Sequence, residues 1–110
     1  MFEQGDIIKI NLNPTKGHEQ RGERPALIVS NNEFNQRAGG MAFVCPITNT
    51  NKSFPLHVQL DNKKKTTGVI MCDQIKAVDL KARGYVKIEN LNKEMLEEVI
   101  DILNGCIEII

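Results

Sequence analysis

The sequence predicts a mainly β domain closed by one C-terminal α-helix. Three observations carry that reading. Short apolar segments, alternating or continuous, recur as far as residue 89; Gly, Pro and Asn/Asp punctuate the joins; and only the last stretch changes to a helical period. Several short strands followed by a single packing helix imply a small, strongly curved sheet closed into a partial barrel. With 110 residues the chain has room for one domain, 1–110, large enough to bury a core without disulfides or a metal.

Ile8, Ile10 and Leu12 alternate with Lys9 and Asn11, which predicts a first strand with one buried face and one wet face. Pro25 to Val29 is a continuous apolar run, the pattern of a strand covered on both sides. Met41 to Ile47 gives a third strand, with Pro46 near its end, where a missing N–H does least harm to a ladder. Leu56, Val58 and Leu60 alternate into a fourth, Gly68 to Ile75 reads as a fifth, and Tyr85 to Glu89 as a short sixth. Asn32 to Arg37 adds a helical turn. Asn92 then serves as an N-cap with Glu94 in the first turn, and Met95, Leu96, Val99, Ile100 and Leu103 form the buried stripe of the closing helix, leaving Glu97, Glu98 and Asp101 to water. No internal repeat, linker or low-complexity tract interrupts this order.

Composition narrows the function classes. No apolar run approaches the ~18 residues needed to span a bilayer, and the N-terminus lacks a charged-then-apolar leader pattern, so the expected location is the cytoplasm, away from membranes. Cys45, Cys72 and Cys106 lack CxxC or Cys/His spacing, which argues for reduced, mostly buried thiols rather than a disulfide framework or a zinc site. No metal or other cofactor is implied. The formal net charge of zero conceals an asymmetry: residues 1–88 hold 13 Lys/Arg against 8 Asp/Glu, whereas residues 89–110 hold 1 against 6. A basic body with an acidic tail element attracts polyanions locally, because clustered cations set the nearby field.

The richest segment is Pro14-Thr15-Lys16-Gly17-His18-Glu19-Gln20-Arg21-Gly22-Glu23-Arg24-Pro25, a polar loop crowded with ionisable groups that runs into an apolar strand. Pro25 disfavours helical geometry at Arg24 and displays its guanidinium at the mouth of the strand. The alternative for Arg24 is a structural ion pair with Glu19 or Glu23.

This loop resembles the signature of the MazF/PemK/Kid family of toxin endoribonucleases. Cys45-Pro46-Ile47-Thr48 is similar to the family's second motif. Phe54-Pro55-Leu56 resembles its Pro-beside-aromatic step, and Thr67-Gly68-Val69, Cys72-Asp73-Gln74-Ile75 and Lys81-Ala82-Arg83-Gly84 are similar to its third block. The blocks run in the family's order from Gly5 to Gly84. The resemblance implies an SH3-like partial β-barrel with a C-terminal helix, a two-fold homodimer, single-stranded RNA as substrate, and a cognate antitoxin whose acidic segment covers residues Pro14 to Arg24 and folds on binding. Two alternatives stand beside this: a gyrase-poisoning toxin like CcdB, which shares that barrel but relies on a Trp near its C-terminus where this chain has no Trp, and a non-catalytic RNA-binding barrel.

RNA supplies its own nucleophile, the 2′-OH, so a metal-free ribonuclease needs a base, charge stabilisation at phosphorus and an acid for the 5′-oxygen. A transesterification leaving 2′,3′-cyclic phosphate and 5′-OH ends fits both this chemistry and the resemblance. Arg24 is the expected phosphate-holding catalytic group, since its planar fork spans two non-bridging oxygens. The resemblance adds Thr48 as its partner; Glu19, in the same loop, is a further candidate as a base or an orienter of Arg24. His18 and Asp73 are a second constellation, catalytic or substrate-binding; in the Kid branch an Arg two residues before the Asp assists it, and Met71 stands there. Expected RNA contacts are Gln20, Arg21, Asn49, Asn51, Lys52, Phe54, Gln74 and Arg83. Phe34 and Tyr85 are further candidates for base stacking, although Phe34 and Phe43 read more readily as core.

Overall fold

A computed structural model describes residues 1–19, 21–50, 55–61 and 65–110. The expected positions Gln20, Asn51, Lys52 and Phe54 lie outside the described residues. Among those described, seven strands form one sheet: β1 (Asp6–Asn11), β2 (Glu23–Ile28), β3 (Met41–Thr48), β4 (His57–Gln59), β5 (Val69–Met71), β6 (Lys76–Asp79) and β7 (Val86–Asn90). Three helices accompany them: α1 (Asn32–Arg37), α2 (Leu80–Arg83) and α3 (Lys93–Ile107). The strand path runs β4-β5-β3-β2-β1-β7, with β6 paired to β3. It has two ends, β4 and β7, so the barrel is partial, as expected. No helix among the described residues is long and apolar enough to cross a membrane.

The sheet carries a core on each face, which the continuous apolar run of β2 anticipated. Leu27 points with Ile7, Cys45, Ile47 and Ile70 into a cluster that α3 covers with Val99 and Leu103. Ala26 and Ile28 point the other way, with Ile8, Ile10, Val44 and Val78, into a cluster that Phe2 and Leu80 complete. The expected wet face of β1 is confined to Lys9 and Asn11; Ile7 is buried because the start of the strand lies in the cluster shared with α3. Asn92 caps α3 as anticipated, its Oδ1 accepting the Met95 N–H at 2.9 Å. Phe34 and Phe43 are not core: both stand at the surface, stacked with ring centroids 4.8 Å apart.

The expected fifth strand, Gly68 to Ile75, is a strand only over its first part, and the strand that follows it, β6, was not anticipated. β5 ends at Met71, a 3₁₀ turn covers Cys72–Gln74, and β6 begins at Lys76. The apolar run hides this because the two strands pair with different stretches of one partner, β5 with Ile47 and Thr48, β6 with residues Met41 to Val44. The turn between them swings Asp73 and Gln74 out of the sheet. Asp79 then caps α2, its Oδ1 accepting the Ala82 N–H at 3.0 Å, a helix that the sequence reading did not anticipate.

Gly68 fits tightly behind the end of β3. Its φ is +113°, and a Cβ there would lie 2.3 Å from the Thr48 carbonyl oxygen and 2.8 Å from the carbonyl carbon. Gly68→Ala is therefore expected to cost about 2–4 kcal/mol through backbone strain and overpacking. Urea denaturation checks this, and a variant as stable as wild type contradicts the close approach.

Candidate functional site

Register builds the site. In β2–β3 the paired residues are Ala26 with Pro46, Leu27 with Cys45 and Ile28 with Val44. The recorded pairing ends there, with Arg24 two residues before Ala26 near the start of β2 and Thr48, the last residue of β3, two residues after Pro46. Directly paired residues share a face and successive even steps preserve it, so Arg24, Ala26, Pro46 and Thr48 lie on one side of the sheet. Pro46 has no N–H to hold the ladder together past that point. The two residues expected to act as a pair thus occupy neighbouring strand ends despite 24 positions of separation in the chain.

Beside this corner runs a groove of about 340 Å³, lined by Leu12, His18, Glu19, Pro46, Asp73, Gln74, Ile75 and Lys76. It brings His18 and Asp73, the second expected constellation, to one surface with Glu19. Pro46 belongs to both the groove and the Arg24/Thr48 face, so the two are continuous.

The loop over the groove is held by donors from far along the chain. The Gln74 amide donates to the His18 carbonyl at 3.0 Å, Lys76 Nζ to the Leu12 carbonyl at 3.3 Å, and Arg83 Nη1 to the carbonyls of Asn11 and Asn13 at 2.8 and 2.6 Å. Within the loop the Lys16 N–H donates to Glu19 Oε1, and Arg21 Nη2 reaches the Gly17 carbonyl at 3.4 Å. Arg24 Nε donates to the Arg21 carbonyl at 2.8 Å, which fixes the plane of its guanidinium. Glu23, one of the two ion-pair partners considered for Arg24, pairs with Lys9 at 3.2 Å.

Thr48 is buried, and its Oγ1 accepts the Thr50 N–H at 3.2 Å. Asn49 is exposed, and its Oδ1 accepts the Thr67 hydroxyl at 2.9 Å. Tyr85 packs edge-on against Phe2, ring centroids 5.8 Å apart. Among the described residues no group of three His, Cys, Asp or Glu side chains is arranged to hold a metal ion. Cys45 and Cys72 are buried, whereas Cys106 is exposed on α3. Burial pushes the Cys72 thiol up to about 11, with the Asp73 carboxylate adding to the shift, and raises Cys45 further still. Neither is a thiolate near neutral pH, so neither is an activated nucleophile.

Sequence reading passed over His57. The alternation of Leu56, Val58 and Leu60 assigns residue 57 to the wet face, yet the 3₁₀ turn folds back on it. Its Nε2 sits 3.2 Å from Asp73 Oδ1, with 10% of the side chain exposed. Lys76, Ile75 and Leu12 were also not anticipated as groove residues; a polar Lys inside a β segment was the available signal for the first.

The chain matches the family model described as PemK-like, MazF-like toxin of type II toxin-antitoxin system over residues 3–106. It is 40% identical over 103 residues to endoribonuclease PemK of Escherichia coli, covering 90% of this chain and 77% of that one. It is 36% identical over 95 residues to endoribonuclease toxin MazF of Escherichia coli strain K12, covering 86% and 84% of the two. A crystal structure of MazF from Deinococcus radiodurans superposes with a TM-score of 0.88 at 30% identity, covering 96% of this chain and 94% of that one. The family match and these identities place this partially closed barrel, with its polar loop over a groove, in the MazF class of toxins. The chain belongs to the PemK-like, MazF-like family of type II toxins.

Arg83→Ala removes two charge-assisted bonds to the β1–β2 loop. It is expected to lower stability by about 1–2 kcal/mol and to speed amide exchange across residues 12–22 more than elsewhere. Hydrogen–deuterium exchange with mass spectrometry reads both; unchanged exchange in the loop shows that Arg83 does not anchor it.

Proposed function

We propose that this toxin is a sequence-specific, metal-independent endoribonuclease that cleaves single-stranded messenger RNA in the cytoplasm. The observation that supports this chemistry is the β2–β3 pairing up to Ala26 and Pro46, with Arg24 and Thr48 just beyond it at neighbouring strand ends and a groove bearing His18, Glu19 and Asp73 lined by Pro46. The 2′-oxygen bonds to phosphorus and the bond from phosphorus to the 5′-oxygen breaks, giving a 2′,3′-cyclic phosphate and a 5′-OH end. One group takes the 2′ proton and another supplies the proton that the 5′-oxygen needs.

Arg24 holds two non-bridging oxygens as charge grows on them, its plane set by the bond from Nε to the Arg21 carbonyl. Thr48, buried at the end of β3 with its Oγ1 accepting the Thr50 N–H, keeps its hydroxyl proton to donate to a phosphate oxygen that reaches it, without changing charge. Glu19 serves as base or orienter, and His18 and Asp73 are the remaining acid–base or RNA-binding groups. Arg21, Asn49 and Gln74 border this surface as RNA contacts, with Arg83 acting there at least through the loop it supports; Gln20, Asn51, Lys52 and Phe54 complete the proposed set.

Two partners follow. The solved relatives include a complex described as MazE–MazF from Deinococcus radiodurans, with a TM-score of 0.82 at 24% identity, and a cognate antitoxin with an acidic segment over residues 14–24 is the corresponding partner here. A homodimer would cover the apolar surface where Phe34, Phe43, Ile75 and Ile107 are all exposed around one groove.

Incubating the purified chain with a long RNA in EDTA should yield fragments with 5′-OH ends, while a 2′-deoxy substitution at the cut site blocks cleavage. Arg24→Ala should lower the rate at least ~100-fold with Tm and oligomeric state retained. RNA binding without cleavage, inhibition of gyrase instead, or full activity of Arg24→Ala overturns the proposal.

A further inference from the structure

We propose that His57 is a positioning residue for Asp73, a buried imidazole that holds this carboxylate at the groove wall in the orientation in which RNA meets it. The inference rests on the groove being the RNA site. His57 lies on β4 opposite Met71 of β5, and Asp73 follows Met71 by two residues, in the 3₁₀ turn. The Cys72 N–H donates to the Leu56 carbonyl at 3.2 Å, so the backbones beside both members of the pair are tied to each other. His57 Nε2 then meets Asp73 Oδ1 at 3.2 Å.

Exposure separates the two roles. The His57 side chain is 10% exposed and is absent from the groove lining, whereas Asp73 is 29% exposed and forms part of it. His57 therefore acts on substrate through Asp73. An ionised carboxylate only accepts hydrogen bonds, so Nε2 must carry the proton toward it. With Oδ1 engaged from behind, Oδ2 is the oxygen left facing RNA, and the carboxylate's rotamer is set before substrate arrives. The Gln74 amide, one residue on, is likewise held by the His18 carbonyl, so the turn presents both side chains in fixed positions.

Cleavage rates of His57→Leu, His57→Gln, Asp73→Asn and the double variant His57→Leu/Asp73→Asn test this, together with the ¹³C shift of the Asp73 carboxyl carbon. His57→Leu should lower kcat/KM by ~10-fold or more. His57→Gln, which keeps an N–H donor, should recover much of that loss, and His57→Leu should cost nothing further once Asp73 is Asn. The Asp73 shift should move in His57→Leu and stay near wild type in His57→Gln. Wild-type rates in His57→Leu, or an equal loss with and without Asp73, overturn the assignment. Should His57→Leu fail to fold, the ¹⁵N signal of His57 Nε2 in Asp73→Asn, on the exposed side of the pair, decides it: an unmoved signal means the two do not interact. A wild-type chain that does not cut RNA removes the functional reading, while both shifts still report whether the pair forms.

Discussion

The site depends on how a polar loop is held against a sheet. Apart from Leu12, which is buried, the described residues of the 12–22 loop contribute little apolar surface, so burial alone does not fix them. Their conformation comes from side-chain donors 74, 76 and 83, which reach back to the carbonyls of residues 11, 12, 13 and 18. Bonds from charged donors are stronger than neutral ones, and two of the three donors are cations. Basic residues near a polyanion-binding groove invite the reading that all of them contact phosphate, but Arg83 and Lys76 direct their charge into the protein's own backbone. The positive field survives this use, since a carbonyl does not neutralise a cation.

Strand pairing supplies the remaining order. β3 is the junction of the molecule: one edge pairs with β2, and the other is divided between β6 and β5. That division accompanies the 3₁₀ turn carrying Asp73 and Gln74, and the β2 edge leaves Arg24 and Thr48 at neighbouring strand ends. Gly68, pressed against the Thr48 carbonyl, keeps β5 close enough for this arrangement. The site is therefore a consequence of register, with the apolar clusters on the two faces fixing that register against slippage.

Much of this was legible in the residues themselves. β1 to β4, β7, α1 and α3 follow from periodicity, caps and punctuation, because each is an amphipathic or apolar segment of ordinary length. The turn at Cys72–Gln74 and the strand β6 beyond it were not, since Val69 to Cys72 is uniformly apolar and only the choice of a different stretch of β3 as partner separates β6 from β5. The loop residues His18, Glu19 and Arg24 stood out as ionisable groups beside Gly and Pro. His57 did not, because alternation assigned it to solvent and the element that buries it was the one misread. Arg83 was recognised as a basic residue near the site, but its acceptors, Asn11 and Asn13, lie some 70 residues earlier, a tertiary fact that no local pattern encodes.

The central claim is that one groove, bounded by the β1–β2 loop, the end of β3 and the 3₁₀ turn, receives RNA. Titrating ¹⁵N-labelled protein with an uncleavable 2′-O-methyl oligonucleotide and following backbone amide shifts tests it directly. The expected result is a contiguous set of perturbed amides at residues 16–24, 48–50 and 73–76, with α3 unaffected on its outer face. Perturbation confined to α1 and the outer face of α3, with residues 16–24 silent, contradicts it.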